Sequence, residues 1–146
     1  MKSIRGSALY AAVVALLATG CTSFEKKWQT ARQQPLPAGD ITGTWTGTWQ
    51  NTNNAHGGAL RALVTQVNPT NYAVRFHAVW GTHSGSFKTE LIGQSEGDEF
   101  VFVGHKRILG FLITTRGHAN ATNFFSTYES RFDTGTFTLK RPVAGE

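Results

Sequence analysis

The stretch Ile41-Thr42-Gly43-Thr44-Trp45-Thr46-Gly47-Thr48-Trp49 alternates without a break. Ile41, Gly43, Trp45, Gly47 and Trp49 fall on one side, and the four threonines fall on the other. Successive side chains of a strand point to opposite faces, so this stretch predicts a β-strand with one buried side. The glycines between the tryptophans leave room for a bent strand or a closely approaching neighbour.

The same texture runs on to the C-terminus. Runs follow at Ala59 to Val67, Asn71 to Trp80, Gly85 to Gln94, Glu99 to Gly104, Gly110 to His118, Asn123 to Phe132 and Thr136 to Arg141. Turn-forming clusters separate them, among them Asn68-Pro69-Thr70-Asn71, Glu96-Gly97-Asp98 and Asp133-Thr134-Gly135. No window sustains a helical apolar period. Short turns join antiparallel neighbours, so eight short strands in this order predict an up-and-down meander. Closing the meander removes two exposed edges and encloses the apolar face, which predicts an all-β, eight-stranded antiparallel β-barrel. A two-sheet β-sandwich is the alternative. The outward face would carry Thr42, Thr44, Thr46, Arg75, His77, Lys88 and Glu90, which argues against a lipid-facing transmembrane barrel.

Ahead of the barrel the chain has a different character. Lys2 and Arg5 precede an uncharged apolar stretch from Ala8 to Ala18, and Thr19-Gly20-Cys21 follows with small residues. That order is the layout of a secretory signal. The apolar run is too short for a spanning helix, which needs ~20 residues. Residues 22–39 contain Pro35 and Pro37 and read as a flexible tether. Fully extended, such a tether reaches at most ~60 Å. Phe24, Trp28 and Ala31 lie at helical spacing within it, which leaves open a short amphipathic turn on a membrane. The expected organisation is therefore a signal over 1–20, a tether over 21–39 and the barrel over 40–146.

Leu17-Ala18-Thr19-Gly20-Cys21 resembles the lipobox of bacterial lipoproteins. The resemblance implies diacylation of the Cys21 thiol, cleavage before it and acylation of the new amino group. It implies a cell-envelope location and a membrane contact through the N-terminal lipid. Thr22, where an Asp would favour inner-membrane retention, leans toward the outer membrane in a Gram-negative host. Cys21 is the only cysteine. Once acylated, it leaves the domain with no disulfide, no thiol chemistry and no cysteine-bound metal.

Gly43-Thr44-Trp45, with Gly47-Thr48-Trp49 repeating it, is similar to the Gly-x-Trp signature of the calycin superfamily, which includes lipocalins and avidins. The resemblance implies that Trp45 closes one end of the barrel and that a basic residue of the last strand packs across it. Arg141 occupies that place, with Arg131 second. Residues that grip biotin or bilins in that superfamily have no counterparts here.

Charge and motifs exclude several functions. Without Lys2 and Arg5 the chain keeps twelve basic against nine acidic residues, a balance of +3. The charges are scattered, which is a poor footprint for nucleic acid. Nucleophile elbows, phosphate loops and dinucleotide fingerprints are missing. The histidines His56, His77, His83, His105 and His118 match no metal-binding motif. No catalytic residue, metal or cofactor is expected, and the chain reads as a non-enzyme. The aromatics are the remaining signal. Trp49, Tyr72, Phe76, Trp80, Phe87, Phe102 and Tyr128 would face the interior, either as packed core or as the lining of a cavity for a small hydrophobic or aromatic ligand; one end can be plugged while the other is open. The alternative is an envelope protein-interaction or inhibitor module acting through polar loops such as Asn51-Thr52-Asn53-Asn54-Ala55-His56.

Overall fold

The stretch around Trp45 and Trp49 becomes strand β1 (Gly43–Asn51) of a closed barrel. The structure is a computed structural model, and it describes residues 23–36 and 39–143. Strands β2 (Gly57–Asn68), β3 (Asn71–Trp80), β4 (His83–Glu96), β5 (Glu99–Ile108), β6 (Phe111–Ala119), β7 (Asn123–Glu129) and β8 (Thr134–Lys140) follow. Each strand pairs antiparallel with the next, and β8 returns to β1. The architecture is the up-and-down eight-stranded barrel rather than the sandwich. Residues 1–22, which include the segment expected to act as a signal and Cys21, lie outside the described residues.

Alternation sets which residues point inward, and close approach explains the glycines. A Cβ at Gly47 would collide with the Thr138 carbonyl oxygen of β8 and lie 2.9 Å from the Leu139 Cα. Only glycine lets β1 press against β8 at that point, between the two tryptophans. The interior is filled by aromatic rings in contact. Phe76 stacks on Phe87 at 5.1 Å and tilts against Phe137 at 5.1 Å, while Phe102 meets Phe124 at 5.2 Å.

The two barrel ends differ. At the end where β1 begins, Trp45 is fully buried and its indole Nε1 donates to the Ile41 carbonyl at 2.9 Å. Arg141 lies across it, with Cζ 3.9 Å from the ring centroid. Its guanidinium also donates to the carbonyls of Asp40 (2.7 Å), Thr44 (3.3 Å) and Ala121 (3.2 Å). Burial holds the Arg141 pKa below its ordinary value, so ring and carbonyls stand in for the water the charge has lost. Arg131 is at the other end of the barrel, with Cζ 5.6 Å from the Phe132 ring.

Where the sequence reading expects a flexible tether, the structure has a helix, α1, over residues 23–32. Gln29 donates to Glu25 one turn back at 2.8 Å. The helix ends in tight turns, Gln33 N to Thr30 O and Gln34 N to Ala31 O, just before Pro35. Its apolar side is spent on the barrel wall, not on a membrane. Phe24 and Trp28, one turn apart, are 0% and 4% exposed. Arg61 of β2 lies against both, with Cζ 5.3 Å from the Phe24 ring and 4.8 Å from the Trp28 ring, and pairs with Glu25 at 2.8 Å. Phe24 also stacks on His77 of β3 at 5.0 Å. His77 is therefore buried although it sits on the outward face. A ten-residue helix is marginal alone, and two buried aromatics and a sandwiched guanidinium supply what it lacks.

Candidate ligand cavity

The end opposite Arg141 is open. The hairpins β1–β2, β3–β4, β5–β6 and β7–β8 surround a cavity of about 360 Å³. That volume falls within the ~300–1,000 Å³ of small-molecule sites. Its floor is aromatic, formed by Phe87 of β4 and Phe137 of β8, with Phe76 packed beneath both. Trp49, Trp80 and Ala78 form one side of the wall. Trp49 is fixed by an Nε1 hydrogen bond to the Val79 carbonyl at 2.9 Å. Ile108, Ile113 and Thr115 form the other side.

Polar groups enter at one place on the rim. The Tyr128 hydroxyl donates to Asp133 at 3.4 Å, and Asn51 donates its amide to the other carboxylate oxygen. Burial, followed by the Asp133 charge, pushes the Tyr128 pKa up to about 12, so its hydroxyl remains a donor at neutral pH. Tyr128 lies flat because β8 has Gly135 beside it, where a Cβ would run into the Tyr128 ring. The ring stacks on Phe137 at 5.0 Å. An apolar wall with one convergent polar cluster can bind an apolar molecule and orient it through a single donor group.

The wall is also split on one side. β4 and β5 pair only from Leu91↔Gly104 to Glu96↔Glu99. Toward the open end His83–Glu90 pair with β3 alone, and His105–Ile108 pair with β6 alone. The seam between Phe87 and Ile108 thus has no ladder and leads into the cavity.

Of the seven aromatics expected to line a cavity, Trp49, Trp80, Phe87 and Tyr128 do so. Phe76 lies under the floor. Tyr72 and Phe102 do not reach it. Tyr72 packs edge-on against Phe100 at 4.8 Å near the closed end, with its hydroxyl 3.3 Å from Asp40, and Phe102 sits in the middle layer against Phe124. Ile108, Ile113 and Asp133 are lining residues that the sequence pattern does not assign to the cavity, while Phe137, inward by alternation, also lines it. Among the described residues no three His, Cys, Asp or Glu side chains converge as metal ligands. No family model matches the chain, and no curated protein or solved structure matches it.

Proposed function

We propose that the chain is a lipid-anchored envelope lipoprotein whose barrel holds a small hydrophobic or aromatic molecule in the open-end cavity. The observation that carries the reading is the cavity itself, about 360 Å³, with two tryptophans, two phenylalanines and a tyrosine on its walls. A barrel of this size has enough aromatic side chains to fill its interior, and at the other end it does so. Leaving this end open exposes apolar surface that folding alone gives no reason to expose. The lipobox-like segment ending at Cys21 supports the anchored half of the reading.

Both halves are testable. Cys21→Ser should move the protein from the membrane to the soluble fraction, and continued membrane association would refute the anchor. For the cavity, Ala78→Phe adds a ring to a wall position that now carries only a methyl group. Wild type and this variant, purified identically from membranes, are extracted and compared by mass spectrometry. One compound should be enriched in the wild type and lost from the variant. Identical extracts from two folded proteins would refute ligand binding.

A further inference from the structure

The β5–β6 hairpin carries a side chain that the fold does not need. Its two-residue turn, Leu109-Gly110, joins Ile108 to Phe111, and both turn residues have positive φ, 49° and 84°. Turns of this kind favour Asn, Asp or Gly, because a bulky L residue in the left-handed region crowds its own Cβ. Leu109 accepts that strain and is 92% exposed. It therefore bears two costs, backbone strain and apolar exposure, and returns no packing. Strain of this sort points to a role outside the fold.

Its surroundings show what the role is. Phe132, 67% exposed, stands beside the tip, with its ring centroid 4.9 Å from that of Phe111. Leu112 and Trp80 extend the exposed apolar rim. Cations lie directly behind it. Arg107 folds back to donate to the Gly110 carbonyl at 3.3 Å, Lys106 precedes it, and Arg131 lies 5.6 Å from the Phe132 ring. From Phe100 to Tyr128 the chain contains no carboxylate. Of the two acids near this end, Asp133 is occupied by Asn51 and Tyr128, leaving Glu129. Apolar tips with cationic shoulders match a bilayer interface that carries negative headgroups.

The helix supplies the geometry. Ser23 accepts from Arg75 at 2.8 Å and Phe24 stacks on His77, three residues before Trp80 at the open end. Arg32, at the other end of the helix, reaches the Val143 carbonyl beyond β8, at the closed end. Helix α1 thus begins toward the open end, and its first residue is two residues after Cys21. Two peptide links span at most ~8 Å. A lipid on Cys21 holds this side of the barrel against the membrane.

We propose that the open end docks on an anionic lipid surface, with Leu109, Phe111, Leu112 and Phe132 among the acyl chains and Lys106 and Arg107 at the headgroups. The docking rests on the anchored reading for its orientation. It deepens that reading, because the cavity mouth and the β4–β5 seam then open onto lipid, and an apolar ligand enters without crossing water.

The test uses the full-length protein. With Cys21 acylated, Leu109→Cys carries the one reactive thiol, which is labelled with a polarity-sensitive fluorophore. Asp98→Cys, in the β4–β5 turn at the closed end, is the control. Each is reconstituted into phosphatidylcholine vesicles containing a minority of phosphatidylglycerol, with and without nitroxide-labelled lipid. The probe at 109 should shift to the blue and be quenched by the nitroxide, and the probe at 98 should do neither. Lys106→Gln should lower the docked-to-free ratio about fivefold in these vesicles and much less in pure phosphatidylcholine. Leu109→Asn should lower it about tenfold while keeping or raising the denaturation midpoint, because Asn tolerates the turn.

Equal, water-like emission at 109 and 98 in protein held by the vesicles would overturn the docking and leave the anchor standing. A blue shift at 109 that needs no lipid and grows with protein concentration would also overturn it, in favour of a second copy. If thiol titration finds two thiols, the anchor fails on its own. Docking is then read from co-sedimentation of the unacylated chain, where equal binding by wild type and Leu109→Asn overturns it and weaker binding by the variant supports it.

Discussion

Arg141→Met removes the closure of the barrel while roughly keeping side-chain volume. Three losses follow from the geometry. The first is the cation–π contact at 3.9 Å over Trp45, worth ~0.5–2 kcal/mol. The second is the charge-assisted bonding to the Asp40 and Thr44 carbonyls, both in partly buried surroundings. An orphaned buried acceptor costs ~1–3 kcal/mol. The third, to Ala121, is exposed and is replaced by water. Against these stands the cost of desolvating the guanidinium, which the variant avoids. The net is about 2–4 kcal/mol of destabilisation. With a urea slope of ~1–3 kcal/mol/M for a domain of this size, the midpoint falls by about 1–2 M. Arg141→Lys keeps the charge but not the fork of donors, so it should fall between the two. The assay is urea unfolding followed by tryptophan fluorescence, in a cycle with Trp45→Phe. Trp45→Phe also strands the Ile41 carbonyl, but that loss appears on both sides of the cycle and cancels. The coupling energy should be ~0.5–2 kcal/mol. A coupling below ~0.3 kcal/mol, with Arg141→Met costing under ~0.5 kcal/mol, would refute the argument.

Two further outcomes follow from the helix. Phe24→Ala opens a cavity under α1 and should cost about 3 kcal/mol, which for a locally docked element raises the open population roughly a hundredfold. Trypsin cleavage at Lys26 and Lys27 should accelerate while the barrel keeps its unfolding midpoint, and unchanged cleavage would mean that the helix is held by something else. His77 makes the same docking sensitive to acid. Burial, then the Arg61 charge, lowers its pKa below the ordinary value near 6.5, and Glu25 only partly opposes them. The unfolded or undocked chain therefore binds the proton first as pH falls. The stability His77 contributes is complete above about pH 6.5 and is lost as pH drops from there toward the depressed folded value. Helix protection measured from pH 7 to pH 5 should decline, and His77→Phe should flatten the profile.

The barrel was legible because its strands are covered on one face, and one-sided burial writes period two into the sequence. Asn71 to Trp80 coincides with β3 at both ends, since the Asn68–Asn71 turn and the Gly81 turn bound it without ambiguity. Other ends were blurred by chemistry that imitates a boundary. His105-Lys106-Arg107 reads as a charged loop, yet it continues β5 to Ile108 as outward and rim residues. Arg131-Phe132 continues the alternation of β7, yet Ser130 N to Asp133 O at 2.7 Å closes a turn there. The helix was hidden for a different reason. Phe24 and Trp28 are a weak amphipathic signal in isolation, and their partner surface, Arg61 and His77, is assembled only when β2 and β3 pair at Arg61↔His77.

The site shows the same limit at finer grain. Alternation tells whether a ring points inward, but not how high in the barrel it sits. Height follows from register. Trp49↔Phe137 and Phe76↔Phe87 set these two ring pairs toward the open end, whereas Tyr72↔Leu91 and Gly93↔Phe102 put Tyr72 and Phe102 closer to the closed end. The same registers put Gly58 opposite Trp49 and Gly135 opposite Asn51 and Tyr128. Glycines at the open end let the Trp49 and Tyr128 rings lie close against the sheet, while Tyr72 and Phe100 pack edge to face near the closed end. The asymmetry between a plugged end under Arg141 and a hollow end under Leu109 is thus written in where small residues face large ones. The firmly bonded closed end gives the barrel a stable base from which the strained, exposed turn at Leu109 can project.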